Sequence, residues 1–585
     1  MQDRSYWSRL ANDRVTRRRV LRTAGLGGVG LTAAALIGCG SDDETPSDSP
    51  AGTSVTAGGT AATGTAATAA PASMLSDATL TSAIGSDIGS GDPQSLGGTG
   101  GGNWPNTSTH FGGAGLLAVD QDTREMIPNL AESVEESPDH LAFTYKLRPN
   151  LKFQNGDPLM AEDVKFSMDR GALGQAEYNP DYEGGHASQF AASVERAEVI
   201  DDLTVKFILK KPDIVFKRRS LFLVPKAHIE SVGDVEFAAN PVGAGYFRQV
   251  SRVPDSEIVS ERFDEYPGTP DSPMPDGGHL PYIKRLVQKV IPDSQARLAA
   301  LQAGEVDLVH NVSSDVARQL ESDGDVQVMY LPGDQPMHIH INTAMETDPD
   351  TGIPNPWRDV RVRRAANLAL DLDGIIEGIL TGRERPSYGS SSTGVGFPAD
   401  IEAKRYGYDP AEAKKLLDAA GFTDGFDAKM YGPIGRWPNT RPVMEVAAQN
   451  LTDVGIKTSI QELQYQEVTT RIKDDSLGPL VFFGMSGGDD PGLNFRYGYH
   501  STGNYNMSPP AAEVDALIEQ SESEFDPEAR AEILSQVITR FYEDAHWIFL
   551  YEPVTVVVLN KKWLWTPHAR TLSNPEYWNI QPVEA

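Results

Sequence analysis

The chain has one cysteine, Cys39, in 585 residues. No disulfide can form within it, so cystine pairing neither staples the fold nor reports its compartment. Basic residues are scarce beside acids: 51 Lys and Arg face 82 Asp and Glu, a formal net charge of −31. The first 38 residues hold seven Arg against two Asp, so the remainder is more acidic still. Such a body is repelled by phosphate backbones and anionic lipid, which excludes nucleic acid as a partner; the acids read as a solvated face. Long hydrophobic runs are missing as well. Thr23 to Gly38 is too short and too rich in glycine to span a bilayer.

The zincin motif is also lacking: there is no H-E-x-x-H, so no zincin helix is on offer. His338 and His340 form an H-x-H pair on one face of an expected strand, Met337 to Thr343. With no third or fourth ligand in sight they read as ordinary strand histidines. The glycine-rich Gly97 to Gly102 lacks the Lys-Ser/Thr ending that grips a nucleotide. No metal and no cofactor is expected.

The length calls for two or more lobes. Residues 1–39 read as an address label. Thr16 to Arg22, TRRRVLR, resembles a twin-arginine export motif, and Leu36-Ile37-Gly38-Cys39 is similar to the bacterial lipoprotein cleavage box. Small residues flank the cut, and the exposed Cys39 thiol would accept a diacylglyceryl group. Residues 40–76 are Gly, Ser, Thr, Ala, Pro and acids with almost nothing to bury, a flexible tether.

The stretch Ile127 to Arg170 organises the folded body. Phe143 to Leu147 alternates as a half-buried strand, Asn155-Gly156-Asp157 marks a turn, and Glu162 and Asp163 suit the start of a helix through Arg170. Its wording is P-x-L-A-E-S from Pro128, T-Y-x-L-R-P from Thr144, and N-G-x-P-L-x-A-E-D-V-x-F-S from Asn155. In that order these motifs closely resemble the extracytoplasmic solute-binding proteins of ABC importers, in the oligopeptide/dipeptide-binding family, family 5. Four later pieces are similar to the same family: Asn240 to Phe247 (NPVGAGYF), Gly304-Glu305-Val306-Asp307, Asn342-Thr343, and Asp359 to Ala365 with Ala369-Leu370-Asp371.

The resemblance implies an α/β, two-lobed periplasmic-binding-protein-like fold of class II, with an extra inserted domain and hinge closure around the ligand. Its limits here would be 77–126, 227–336 and 546–585 for lobe I, 127–226 for the inserted domain and 337–545 for lobe II. His546 to Leu559, almost continuously apolar, reads as one buried strand returning to lobe I. Asp293, Asp409 and Asp526 read as helix starts, with Gly304 and Gly421 as stops.

For the ligand, the resemblance points to three loops. In dipeptide-binding relatives a loop like Gly435 to Asn439 brings an Arg to the ligand carboxylate with an aromatic beside it, which carries over to Arg436 and Trp437. Arginine suits that task because its planar fork pairs with both carboxylate oxygens. Peptide-binding relatives also place an Asp shortly before a Pro that matches Pro491, to pair with the peptide ammonium. Gly487 stands at that position and Asp489 lies two residues later. Either Asp489 takes the ammonium by a register shift, or the ligand has no free amine there. The third loop contributes Gly98 and Thr99.

The function implied is that of a lipid-anchored substrate-binding component of an ABC transporter. It would capture an extracellular solute, by default a short peptide, and deliver it to the permease. The expected place is exported, periplasmic or on the outer face of the cytoplasmic membrane, as a monomer. Nickel chelates, sugars and opine-like compounds are alternative ligands of the same fold. An exported hydrolase is the alternative from a different class, and a peptidase assay separates it from a binder.

Overall fold

The computed structural model describes residues 75–583 except 86, 89, 96–108, 121–124, 173–177, 180–181, 183–192, 220, 269–273, 275–277, 334, 390–393, 399, 402–403, 486–489, 510 and 568–574. All of these belong to one compact unit, Ala69–Ala585. Cys39, Gly98, Thr99 and Asp489 lie outside the described residues, as does Gly487.

Three sheets carry the architecture. The large sheet has seven strands in the order Val326–Pro332, Val554–Asn560, Leu308–His310, Thr79–Ile84, Arg285–Val290, Glu257–Arg262, Phe247–Val253. A small sheet has four, Ala131–Glu136, Ala142–Leu147, Thr204–Leu209 and Val194–Asp201. The second-lobe sheet has five, Ile456–Leu463, Phe426–Pro433, Leu480–Gly484, Met337–Ile341 and Trp547–Phe549.

Strand patterns explain where each sheet is buried. In Ala142–Leu147 the side chains of Phe143, Tyr145 and Leu147 are buried while Lys146 is exposed, the alternation of a sheet with one wet face. Phe143, Tyr145 and Leu147 join Leu80, Leu286, Leu308 and Val557 in one hydrophobic cluster, so the small sheet and the large sheet share a core. The other face of the large sheet packs Ala83, Val309 and Val558 against Leu298, Leu301, Val316 and Ala317 of the helices Ser294–Gln302 and Ser314–Leu320. Leu480–Gly484 reads LVFFG because both its faces are covered. Leu480 and Phe482 pack with the helix Thr440–Val454, and Val481 and Phe483 with the helix Pro527–Glu543.

Helix starts follow the aspartates. Asp293, Asp409 and Asp526 accept hydrogen bonds from the backbone N–H of Ala296, Glu412 and Ala529. Each such cap contributes about 1 kcal/mol. Gly304 and Gly421 take positive φ, 73° and 93°, where their helices end.

A buried charge network joins the small sheet's helix to the first lobe. Arg170, on the helix Ala161–Ala172, is fully buried between Asp92 and Asp234. Its guanidinium sits 4.3 Å from the Tyr182 ring centroid. Burial pulls the Arg170 pKa down, but Asp92, helped by Tyr182 and Asp234, outweighs it and lifts it well above the ordinary arginine value. Gln94 adds amide hydrogen bonds to the carbonyls of Ser167 and Phe222.

The run from His546 to Leu559 departs from its sequence reading. Trp547–Phe549 is antiparallel to Met337–Ile341 in the second-lobe sheet, whereas Val554–Asn560 lies between Val326–Pro332 and Leu308–His310 in the large sheet. One apolar pattern therefore serves two buried sheets in succession, a change of partner that hydropathy does not mark. The chain passes between these sheets twice, at 333–336 and at 550–553. The two crossings touch: Gly333 N–H donates to the Pro553 carbonyl at 2.8 Å, and Leu550 N–H to the Met337 carbonyl at 3.2 Å. A Cβ on Gly333 would stand 2.6 Å from Pro553 Cγ, so only glycine allows this approach.

Candidate functional site

Strand direction fixes where the second lobe gathers its loops. Phe426–Pro433 runs parallel to both Ile456–Leu463 and Leu480–Gly484. The segments that follow the three strands therefore leave from one edge of the sheet. In open α/β sheets that carboxyl edge is where ligands sit. Those segments contain Arg436 and Trp437, Tyr465, and Met485 with residues 486–489. Gly435 at φ 63° and Asn439 at φ 60° turn the first of them sharply into the helix Thr440–Val454.

Arg436 and Trp437 are brought together. The Arg436 guanidinium lies 4.9 Å from the Trp437 ring centroid and 5.4 Å from that of Tyr465, within cation–π range. Trp437 Nε1–H donates to Gln335 Oε1 at 2.8 Å, and Arg436 Nη2 approaches the same oxygen at 3.4 Å. Arg436 Nε is buried without a hydrogen-bond partner, and no carboxylate among the described residues pairs with this side chain. A buried guanidinium N–H left open is costly unless a further acceptor arrives.

The ring of Trp437 is the first of an aromatic group. Phe483 stands edge-on to it at 5.6 Å, Tyr465 stacks with Phe483 at 6.2 Å, and Tyr505 lies 5.5 Å from Phe483. Gly484 makes room for it, since a Cβ there would come 3.1 Å from Trp437 Cζ2 and 2.8 Å from Met337 Sδ. Burial raises the Tyr505 pKa, and burial pushes that of Tyr497 up to about 12 against the opposing charge of Arg219. Both phenols stay protonated at neutral pH.

Asp490 is fully engaged elsewhere. It caps the helix Pro491–Gly498 through Gly492 N–H at 3.0 Å and pairs with buried Arg530 at 2.8 Å. The aromatic neighbours Tyr465 and Tyr505 and the acceptor Gln335 were not legible as site residues, since only the meeting of separate loops makes them one. The signal that could have found Tyr465 is its place just past a parallel strand.

The histidine pair lies in the second-lobe interior. His338 and His340 are fully buried, their Nε2 atoms 2.7 Å apart, and His338 stacks on Trp547 at 3.6 Å. A cavity of about 270 Å³ lies on the other lobe, walled by Phe111, Tyr145, Met168, Phe207, Phe216 and Leu221.

Residues of the small-sheet domain and of the second lobe also meet at a rim. Ile214 N–H donates to the Glu522 carbonyl at 2.9 Å, Lys211 pairs with the Glu522 carboxylate at 3.4 Å, and His140 stacks on Phe525 at 3.6 Å.

Residues 125–507 match the model of the bacterial extracellular solute-binding proteins, family 5. The chain belongs to that family. Among curated relatives, this family 5 protein is 27% identical to the glutathione-binding protein GsiB of Pectobacterium atrosepticum over 59% of its own length and 62% of that protein's. It is 28% identical to the heme-binding protein A of Haemophilus influenzae, over 74% of this chain and 80% of the other. In three dimensions it resembles the periplasmic binding protein DppA of Helicobacter pylori, solved with the peptide STSA. The TM-score is 0.73 at 22% identity, covering 86% of this chain and 98% of the other. The family 5 fold is thus the two-lobed binding-protein fold, and the paired crossings at 333–336 and 550–553 join its two lobes.

Proposed function

We propose that the chain is the substrate-binding component of an ABC importer, and that it closes its lobes over a carboxylate-bearing solute of peptide type. The observation that carries this reading is the open, buried Nε of Arg436 beside Trp437 and Tyr465, at the carboxyl edge of parallel strands. Glutathione, heme and peptides, the ligands named for the similar proteins, all present carboxylates. Arg436 takes the carboxylate, Trp437 packs along the ligand, and Asp489 takes the ammonium where the solute has one. Gly98 and Thr99 complete the proposed contacts, with Gly98 offering bare backbone to the ligand.

The test begins with the solute that co-purifies with the full chain, identified by mass spectrometry and titrated by calorimetry. Hydrogen bonds to a charged partner contribute about 1.5–3 kcal/mol, so Arg436→Ala should weaken binding roughly ten- to hundredfold. Unchanged affinity would remove Arg436 from the site.

The protein is exported and held at the membrane by lipid on Cys39, and there it hands its solute to the permease. Several acyl chains on a processed lipoprotein make such attachment stable. Cys39→Ala should release the protein to the soluble fraction of fractionated cells; retention in the membrane pellet would refute the anchor.

A further inference from the structure

Gln335 sits in the first of the two crossings, between Pro332, the end of a large-sheet strand, and Met337, the start of a second-lobe strand. Any rotation of one lobe against the other must be absorbed by backbone in 333–336 and 550–553, because these segments join the sheets. The loop that carries Arg436 and Trp437 belongs wholly to the second lobe: it follows Phe426–Pro433 and leads into Thr440–Val454. One oxygen connects the two. Gln335 Oε1 accepts from Trp437 Nε1 at 2.8 Å and faces Arg436 Nη2 at 3.4 Å. The next residue along the crossing, Pro336, accepts at its carbonyl from Met485 N–H at 3.4 Å, immediately before residues 486–489. Consecutive hinge residues thus touch the Arg436–Trp437 loop and the residue that follows the strand Leu480–Gly484.

We propose that Gln335 is a positioning residue that ties the Arg436–Trp437 loop to the hinge, so that lobe angle and the aim of the guanidinium change together. A twist at 335 moves the shared acceptor, and the indole and guanidinium must follow it or lose their hydrogen bonds. By the same linkage, a ligand that fixes Arg436 biases the hinge toward one angle. The nearby geometry leaves little slack, since Gly333 already lies against Pro553 and Gly484 against the Trp437 ring. The functional meaning rests on Arg436 being a ligand contact, but the coupling itself does not, and it can be measured without ligand.

The test uses the full chain with Cys39→Ser, which removes the only thiol. Cysteines placed at exposed Asp255 and Lys457, one on each lobe, carry spin labels for interlobe distance measurement in the ligand-free protein. Gln335→Leu deletes the acceptor, and Gln335→Glu keeps an oxygen there. Losing one hydrogen bond of ordinary net strength should shift the ratio of open to closed forms by roughly fivefold. The Trp437 indole N–H resonance should move in the same Leu variant, whereas the Glu variant, whose carboxylate also pairs with Arg436, should keep the indole N–H bonded and should not shift the ratio in the direction that Leu does. The proposal is overturned if Gln335→Leu leaves the distance distribution unchanged, or if Gln335→Glu shifts it in the same direction as Leu does. A loss of affinity in Arg436→Ala with no hinge effect of Gln335→Leu would sink the coupling and leave the ligand assignment standing.

Discussion

His338, His340 and His546 are completely enclosed in the second lobe, and their chemistry follows from that enclosure. Burial lowers the His340 pKa to about 3 and takes those of His338 and His546 well below the ordinary 6.5. For His338 the neighbouring His340 adds to the effect, and for His546 Arg363 and His340 do. The sign is that of neutral groups: below about pH 6.5 the unfolded chain binds protons that the folded one refuses, so stability falls as pH falls. Each pH unit lost below that point removes up to about 1.4 kcal/mol per enclosed histidine. The urea midpoint should therefore drop between pH 7 and pH 5, and His340→Gln with His338→Gln should flatten that slope. A midpoint independent of pH across this range would contradict the enclosure. The H-x-H spacing was legible in the sequence, and so was its placement on one strand face. What could not be read was Trp547 stacked on it, because that residue arrives from a strand some two hundred positions away. The resemblance singled out Arg436 and Trp437 as candidates and the structure brings them together, whereas Gln335 was not legible, since a glutamine between two strands carries no pattern of its own.

At the scale of elements, the caps, turns and alternating strands of 127–170 were written in local chemistry, and they fold as that chemistry directs. The partner of each strand was less legible. Trp547–Phe549 and Val554–Asn560 share one apolar style but enter different sheets, because both positions are buried on two faces. The rim where residues 211–214 meet 522–525 was invisible for a related reason: its members are polar or single aromatics in separate helices and loops. Contacts of this kind between the two sides would act as a clasp if the lobes close. His140 and Phe525 stack at 3.6 Å with rings 14° from parallel, a contact that contributes about 0.5–1.5 kcal/mol beyond the area it covers. Phe525→Ala should then weaken solute binding by roughly threefold to tenfold, although the ring is remote from Arg436 in sequence and sheet. Calorimetry with the co-purified solute reads this directly; affinity equal to wild type would show that the rim plays no part in closure.

For the whole molecule, acidity and the shared core point to one design. The small sheet is fused to the large one by a common hydrophobic cluster and by the Arg170 network, so first lobe and inserted sheet are packed into one body. The second lobe is joined to it in the chain by the paired crossings and meets it in space at the rim. Two bodies on a narrow hinge, with an open guanidinium on one side, are built to enclose a guest. The measurement that tests this most directly is small-angle scattering of the full chain, first stripped of solute by mild denaturation and refolding, then titrated with the solute that co-purified. Closure predicts a saturable fall in the radius of gyration at one solute per chain, with the solute recovered intact. No compaction at saturation, or steady consumption of the solute, would contradict it.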